Sequence, residues 1–402
     1  MNKTTWILIC FIFLLLPFRI FAQSSCGGDD PCAGKSTTDQ VACYENLTAA
    51  CKNQRETLAS QISYMNSQIK LTTLRISVTQ NKITTLTDEI SKLETEVVRL
   101  EGVLNDRLAL LMKRIPASYK RSSASQFGAL LFSRDFFDFM TRIKYLQSVQ
   151  QEDAAIVFQV KTTQNSYNDS KKNREDKKNQ LEEIKTELNR QNIQLAQQKA
   201  EKDALLTATQ GNESRYSQLL AAARAQLSAI NNFVSGLGGA TILSNQTYHS
   251  DWGNYYNQRD SQWANHGIGS SSESIANVGC LVTSVAMVMS HYGKGASPAD
   301  VASTLDLFVP GTAYMYQGSR SVAGATITRT STSTGVIDGE LAAGHPVIVG
   351  VYNGPAHFVV LKSGSGGNYT MNDPFVENGH DIAFTSHYSM GAITEVDTVS
   401  VN

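Results

Sequence analysis

Apolar side chains recur every three or four residues from position 62 onward, which is the spacing of one face of a helix. The positions are Ile62, Met65, Ile69, Thr72, Ile76, Thr79, Ile83, Leu86, Ile90, Leu93, Val97, Leu100 and Leu104. The residues between them are mostly polar or charged, so the other faces of the helix are solvated. A period of about 3.5 residues sustained over this length predicts a left-handed coiled coil.

The first helical arm is followed by a proline and an aromatic segment. We expect Pro116 to end the arm, because proline cannot donate a helical hydrogen bond and clashes with the preceding turn. The aromatic residues between 127 and 140 indicate a hairpin tip that folds on itself. A second, weaker heptad-like arm begins at Ile143 and continues past Leu188. The sequence therefore predicts an antiparallel coiled-coil hairpin over residues 52–235, with its tip at about 116–140.

The pattern changes near the end of the second arm. Leu219 to Val234 is rich in alanine and has one apolar face. Glycines at 236, 238 and 239 then predict a flexible linker over residues 236–250. Residues 251–402 are rich in Gly, Tyr and Val with mixed periods, which indicates a separate globular domain of about 150 residues.

The first residues carry the features of a secretory signal. Lys3 is followed by an unbroken apolar run from Trp6 to Leu16, then by Pro17 and by a small residue, Ala22, at a plausible cleavage position. We therefore expect a signal peptide over residues 1–22 and a secreted, extracytoplasmic location in the cell envelope. An uncleaved membrane anchor is the alternative, although the run is shorter than the ~20 residues that a spanning helix needs.

Four cysteines crowd the segment 23–51: Cys26, Cys32, Cys43 and Cys51. An even cluster in an exported chain predicts two disulfides, with three pairings open. A zinc site and a lipid anchor on Cys26 are alternatives. The formal net charge of the 402-residue chain is -1, which gives no bias toward nucleic acid or an anionic membrane. We expect no nucleic-acid partner and no cofactor.

Residues around the predicted tip carry a resemblance to a known family. The segments are 119–121, 130–133, 136–139 and 142–146. Together with the arms over about residues 50–205 they resemble the coiled-coil domains of PcsB- and EnvC-type cell-wall hydrolase regulators. That resemblance implies a membrane partner of the divisome FtsEX type for the coil, and a C-terminal domain that cuts peptidoglycan or activates enzymes that cut it. A generic exported coil acting as a spacer is the alternative.

Two residues of the C-terminal domain suggest nucleophilic chemistry. Cys280 precedes a segment with helical spacing that ends at Gly293, so it is expected at a helix N-terminus, where partial positive charge favours a thiolate. A buried, inert cysteine is the alternative. His357 opens an apolar strand, and its imidazole is a candidate base for the thiol. A lone histidine is more often structural, so this assignment depends on the other residues.

Two further residues complete the candidate set. Asp373 follows a predicted strand and is expected to accept the other imidazole N–H, which would fix the tautomer. A turn aspartate before Pro374 is the alternative, and Asn372 takes the same part if the strand is shifted by one residue. Gln258 is a candidate amide donor to the oxyanion of a tetrahedral intermediate. The order Gln, Cys, His, Asp is that of papain-like enzymes.

These segments resemble the bacteriocin-leader-processing peptidases (cysteine peptidase family 39) and their stand-alone secreted relatives. The resemblance spans about residues 252–376, and the matching pieces are 255–263, 279–280, 297–302, 341–349, 357–360 and 372–374. It implies an α+β papain-like cysteine peptidase domain with Cys280 as nucleophile, His357 as base, Asp373 as orienting residue and Gln258 as oxyanion donor. The family usually has Gly-Pro after the cysteine, whereas this chain has Leu281 and Val282. The larger side chains are expected to narrow the cleft or to alter the choice of substrate.

Three functions follow as hypotheses. The first is an exported cysteine hydrolase that cuts amide bonds in peptidoglycan, with the coil tethering or gating it. The second is a protein-directed or peptide-directed peptidase of the envelope. The third is a non-enzymatic activator of other wall hydrolases. Leu219 to Val234 has two interpretations in this context: a helix that extends the second arm and packs on the first, or a segment that lies in the substrate cleft.

Overall fold

The computed structural model describes residues 31–53, 55–123 and 133–402, with backbone alone for residues 117–123. The predicted signal peptide, Cys26 and part of the predicted tip lie outside the described residues. The chain divides into two compact units, one formed by residues 75–192 and the other by the remaining residues on both sides.

The unit of residues 75–192 is an antiparallel pair of helices. It is made by parts of two long helices, α2 (Leu58–Ser123) and α3 (Phe136–Thr209). Polar pairs between the two helices run in opposite chain directions: Thr79 with Gln191, Glu89 with Lys177, Glu94 with Lys178, and Arg114 with Asp153. The contacts confirm the predicted antiparallel coiled-coil hairpin.

Pro116 lies inside α2, so the prediction that this proline ends the first arm is wrong. The helix continues to Ser123. A proline inside a helix removes one backbone hydrogen bond and strains the turn before it, but the remaining bonds of a long helix on either side keep the chain helical. The described part of the first arm is therefore longer than the sequence pattern indicates.

The aromatic residues of the predicted tip are described from Phe136 onward. Phe136 to Met140 form the first turns of α3. The rings of Phe136 and Phe139 stack at 6.5 Å, but Phe136 and Phe137 are about four-fifths exposed. Phe132 lies outside the described residues.

Zero-length coupling of carboxylates to amines tests the hairpin. Carbodiimide treatment is expected to join Glu89 to Lys177 and Glu94 to Lys178, because each ion pair brings nitrogen and oxygen to 2.8 Å. Mass spectrometry of a mixture of light and isotope-labelled chains separates links within one chain from links between chains. The Lys92–Asp88 pair, one turn apart on one helix, is the reagent control. Abundant links that join a light peptide to a heavy peptide would contradict the hairpin.

The N-terminal part of the other unit is held by disulfides and by packing. Helix α1 (Thr37–Cys51) begins at the capping residue Ser36. A disulfide joins Cys32 to Cys43, and Cys51 is also disulfide-bonded. Tyr44 of α1 packs in a small cluster with Cys32 and Leu71. The predicted oxidised state is present at these three cysteines.

A break separates α3 from a shorter helix, α4 (Glu213–Gly236). Gln210 and Gly211 both have positive φ angles, a conformation that glycine adopts without strain. Asn212 caps α4, and its side-chain oxygen accepts hydrogen bonds from the backbone N–H groups of Ser214 and Arg215. The segment 219–234 is thus part of a separate helix and does not continue the second arm.

The C-terminal domain is an antiparallel sheet with helices on both faces. In chain order its elements are β1 (Tyr248–Ser250), β2 (Gly253–Tyr255), α5 (Ile275–Val278), α6 (Cys280–His291), α7 (Pro298–Ala302), β3 (Gly318–Val322), β4 (Ala325–Thr332), α8 (Ile337–Ala342), β5 (Val347–Val351), β6 (His357–Ser365), β7 (Asn368–Asn372), β8 (Ile382–Ala383) and β9 (Ile393–Val401). The order in the main sheet is β3-β4-β9-β5-β6-β7-β8, and β1 pairs with β2.

Alternate residues along the central strands supply two cores. Ile348, Phe358 and Val360 share a cluster with helix α6, whereas Val349 and Val359 share a cluster with α8. This alternation follows from the two-residue period of a strand. The fold class is therefore the predicted combination of a long antiparallel helical hairpin and an α+β papain-like domain.

The segment predicted as a flexible linker is bonded to the C-terminal domain over part of its length. The backbone N–H of Leu243 donates to Arg259, and the carbonyl of Leu243 accepts from Ser261. The backbone N–H of Gln246 donates to the buried Asp260 carboxylate at 2.7 Å. Within the described ranges, no helix combines the length and apolarity needed to cross a membrane.

Candidate active site

The candidate nucleophile is the first residue of helix α6. Cys280 is fully buried and is the free cysteine of the described residues. Gly279 immediately before it allows α5 to pass directly into α6, since a Cβ at this position would lie 2.5 Å from the carbonyl oxygen of Ile275. Because the first N–H groups of a helix lack intrahelical acceptors, the thiol lies at the positive end of the helix dipole.

The candidate base and its partner come from adjacent strands. His357 begins β6, and Asp373 directly follows β7, the neighbour of β6 in the sheet. His357 Nε2 lies 2.8 Å from Asp373 Oδ1, and both side chains are buried. The Cys280 side chain also interacts electrostatically with the His357 ring and contributes to raising the pKa of that ring. Since Nε2 is engaged by the carboxylate, Nδ1 is the ring nitrogen left for the thiol.

The electrostatics of His357 and Asp373 favour an ion pair between these two side chains. Burial alone lowers the pKa of His357, but the Asp373 carboxylate and the Cys280 sulfur outweigh burial and raise that pKa above its ordinary value. Burial also opposes ionisation of Asp373, yet the facing imidazolium and its hydrogen bonds hold the pKa of this carboxyl below its usual range. A protonated imidazole held by the Asp373 carboxylate is the charge state that can stabilise a thiolate nucleophile.

Of the two adjacent candidates, Asp373 and Asn372, the structure places Asp373 against His357. The Asn372 side-chain oxygen accepts from the backbone N–H of Asp381 at 3.1 Å, so it is engaged away from His357. Asp373 alone of the two contacts the imidazole. The turn before Pro374 and the contact with His357 coexist, because Asp373 Oδ1 also accepts from the backbone N–H of Phe375 at 2.8 Å.

Gln258 lies beside the segment that leads into the nucleophile. Its Nε2 donates to the carbonyl of Ala276 at 2.8 Å, and its backbone N–H donates to Pro374. The side chain is fully buried, and its Oε1 has no hydrogen-bond partner among the described residues. The amide retains a second N–H. Together with the backbone N–H of Cys280, it is the candidate donor to an oxyanion.

Helix α4 covers the candidate site. The ring of Phe233 stacks on the His357 ring with a centroid distance of 4.7 Å and an interplanar angle of 14°. Four residues earlier, Ala229 lies so close to Gly354 that a Cβ on that glycine would be 2.5 Å from the alanine Cβ. Ile230 and Val234 belong to the same core cluster as Cys280. These contacts place α4 against His357 and the core around Cys280.

Leu281 and Val282, which replace the usual Gly-Pro of the family, are buried in that same cluster. These side chains therefore belong to the apolar core shared by α4 and α6.

Sequence reasoning missed one polar residue that contacts the site. Tyr388 donates a hydrogen bond from its hydroxyl to Asp373 Oδ2 at 2.6 Å and is buried. It lies fifteen residues after Asp373, beyond the last segment used for the resemblance, and nothing in its sequence neighbourhood indicates the contact. Among the residues that the structure describes, no group of His, Cys, Asp and Glu side chains could hold a metal ion.

The comparisons with known proteins agree with this geometry over the C-terminal domain. Residues 253–389 match the Peptidase C39-like family. The match covers the helix that begins with Cys280, the strand that begins with His357, and both Asp373 and Tyr388. Among the curated proteins compared, none matched the chain. The family match supports cysteine peptidase activity for the domain and leaves the hairpin outside its range.

Proposed function

We propose that this protein is an exported cysteine hydrolase that cuts amide bonds in peptidoglycan stem peptides or cross-bridges. The observation that carries the hydrolase is the buried Cys280–His357–Asp373 arrangement in a domain that matches the C39-like peptidases. Cys280 acts as the nucleophile, His357 as the base, Asp373 as the orienting residue and Gln258 as an oxyanion donor.

The reaction proceeds through an acyl-enzyme. The thiolate of Cys280 attacks the amide carbonyl carbon, and the carbonyl oxygen takes up negative charge that the Cys280 N–H and the Gln258 amide stabilise. The imidazolium of His357 gives its proton to the leaving amine, which departs as the carbon–nitrogen bond breaks. Water then attacks the thioester carbon as His357 takes its proton, the carbon–sulfur bond breaks, the acid product leaves, and the thiolate–imidazolium pair is restored.

Peptidoglycan is proposed as the substrate from the sequence of the hairpin and from the expected export. The residues around the hairpin tip resemble those of cell-wall hydrolase regulators, and the first 22 residues carry the features of a signal peptide. The coil then tethers the hydrolase to a membrane partner of the FtsEX type in the division machinery. Envelope proteins or peptides are the second candidate substrate, since the family match fits them equally.

We further propose that α4 gates the hydrolase. Its C-terminal half covers His357 with Phe233, whereas its N-terminal half contacts the start of α2. The hydroxyl of Tyr216 donates to the backbone carbonyl of Arg55, and Arg224 forms an ion pair with Glu56. Since one helix contacts both the catalytic residues and the base of the first arm, displacement of the arm by a partner would uncover the thiol.

A comparison of two substrates tests the proposed specificity. The mature protein is incubated with purified sacculi or with casein, and released amino groups are quantified. We expect release from sacculi that depends on Cys280 and much slower cleavage of casein. Cleavage of casein alone would move the assignment to the protein-directed peptidase. If neither substrate releases amino groups in a thiol-dependent way, even when the contact of α4 with His357 is weakened by mutation, the non-enzymatic activator would be favoured.

A further inference from the structure

The residue that the proposed mechanism leaves unused is Tyr388, which lies directly behind the orienting carboxylate. Its ring packs against Phe384 and Tyr352, with centroid distances of 5.6 and 5.9 Å. Its centroid lies 6.2 Å from that of His357. The hydroxyl donates to Asp373 Oδ2 at 2.6 Å. The side chain is thus fixed by packing on one end and by the carboxylate on the other.

The two oxygens of Asp373 have different partners. Oδ1 accepts from His357 Nε2 at 2.8 Å, from the Phe375 N–H at 2.8 Å and from the Val376 N–H at 3.3 Å. Tyr388 is the hydrogen-bond donor that the described residues offer to Oδ2. Bonds on both oxygens prevent rotation of the carboxylate plane. Without Tyr388, a buried charged oxygen would be left without a donor, which is costly in an interior of low dielectric.

Charge on the carboxylate depends on the same hydroxyl. Hydrogen bonds to the ionised form of a carboxyl favour that form. The Tyr388 bond contributes, after the interactions with His357, to holding the pKa of Asp373 below its usual range. Burial, followed by the negative charge of Asp373, raises the pKa of Tyr388. The hydroxyl therefore stays protonated and remains a donor across the range in which the enzyme would work.

We propose that Tyr388 is a positioning residue that acts through Asp373: its hydroxyl keeps the carboxylate ionised and aimed at His357, so that the imidazolium forms opposite the Cys280 thiolate. This role rests on the proposed cysteine hydrolase function. The Tyr388 hydroxyl is engaged by Asp373 and not by the reacting sulfur. Its loss is expected to weaken the base without changing how substrate binds.

The chain offers a matched pair of variants for the test. Tyr388→Phe removes the hydroxyl and keeps the ring. Tyr369 is the control, because it is buried in the same core cluster and its hydroxyl donates to another carboxylate, that of Asp338, at 2.7 Å. Both variants lose one tyrosine–carboxylate hydrogen bond, and only one of these bonds belongs to the candidate site.

We expect Tyr388→Phe to lower kcat by about tenfold or more with little change in KM, since it weakens general acid–base catalysis. The pH profile of kcat/KM should also become narrower. A higher pKa of Asp373 moves the acidic limb to higher pH, and a less negative partner lowers the pKa of His357 and moves the alkaline limb to lower pH. Tyr369→Phe should leave both limbs in place. Equal losses in the two variants, with unmoved limbs, would overturn the proposal.

A second readout keeps this test separate from the proposed function. Both variants are made together with Phe233→Ala, and the rate of Cys280 alkylation by iodoacetamide at about pH 6 is measured by mass spectrometry. We expect a decrease of about tenfold with Tyr388→Phe and none with Tyr369→Phe. Equal alkylation rates would reject the positioning role. Slowed alkylation in a protein that hydrolyses no substrate would retain that role and reject the hydrolase.

Discussion

Replacing Cys280 with alanine is expected to remove hydrolysis, with a fall of at least about 1,000-fold in kcat. The reason is that the acyl-enzyme forms on this sulfur, and no other thiol in the described residues is free. His357→Gln is expected to cause a loss of similar size, because glutamine cannot take the proton from the thiol or return it to the leaving amine. Initial rates of amine release from sacculi measure both effects.

This comparison needs one control for replacing a histidine elsewhere in the domain and another for loss of the folded structure. His345→Gln makes the same change at an exposed residue that lies 2.9 Å from Glu340, remote in its contacts from the candidate site. It should leave kcat unchanged. Circular dichroism and thermal unfolding of each variant establish that lost activity is not lost structure. Full activity of a folded Cys280→Ala protein would reject the assigned nucleophile.

Shortening Phe233 is expected to raise activity rather than lower it. Burial of a large apolar side chain contributes about 1.5–3 kcal/mol, and an aromatic stacking contact adds about 0.5–1.5 kcal/mol. Phe233 is only partly buried, so Phe233→Ala should cost the closed state about 2 kcal/mol. Each 1.4 kcal/mol changes an equilibrium about tenfold, so the population with an open cleft should rise about 30-fold. Initial rates on sacculi should increase accordingly.

The matched control for Phe233→Ala lies on the same helix. Leu219 is also partly buried, but it packs in the cluster near the start of α2 and not on the catalytic residues. Leu219→Ala should therefore increase hydrolysis far less than Phe233→Ala. Both variants carry the intact Cys280, His357 and Asp373. Equal rates for the native protein and Phe233→Ala, with Cys280 equally reactive toward a thiol probe, would contradict the gate.

The regular parts of this structure follow from local patterns in the sequence. The heptad positions from Ile62 to Leu104 specify one mostly apolar face of the helix. The hydrogen bond between Thr79, on that face, and Gln191 confirms that the face lies against the second arm. The Cys280 helix and the His357 strand were also predictable, because each combines a chemically distinctive residue with a clear period. The position of Pro116 inside the helix was not predictable from the sequence, because a long helix tolerates the loss of one backbone hydrogen bond.

The choice between Asp373 and Asn372 shows a limit of sequence reasoning. The two residues are adjacent, and a shift of one position in a strand exchanges the faces to which their side chains point. A register shift between Leu361 and Ser363 in the pairing of β6 with β7 adds an irregularity that no sequence period records. Only the paired strands establish that Asp373 faces His357.

Contacts between distant parts of the chain were the least predictable. The sequence showed that the segment 219–234 has an apolar face but left open what that face would contact. Phe233 meets His357 across more than a hundred residues of sequence, and Tyr388 meets Asp373 from beyond the recognised segments. Both contacts depend on three-dimensional packing, which hydrophobic periodicity does not encode.

The most direct test of the proposed Cys280–His357 ion pair beneath Phe233 is the reactivity of the Cys280 thiol. The rate at which iodoacetamide alkylates this thiol at about pH 6 is followed by mass spectrometry of the peptide that carries Cys280. We predict slow alkylation in the native protein and at least about tenfold faster alkylation in Phe233→Ala, because the cover is loosened. Adding His357→Gln should cancel that gain, because the imidazolium no longer stabilises the thiolate. Rates that are the same in all three proteins would contradict both the cover and the ion pair.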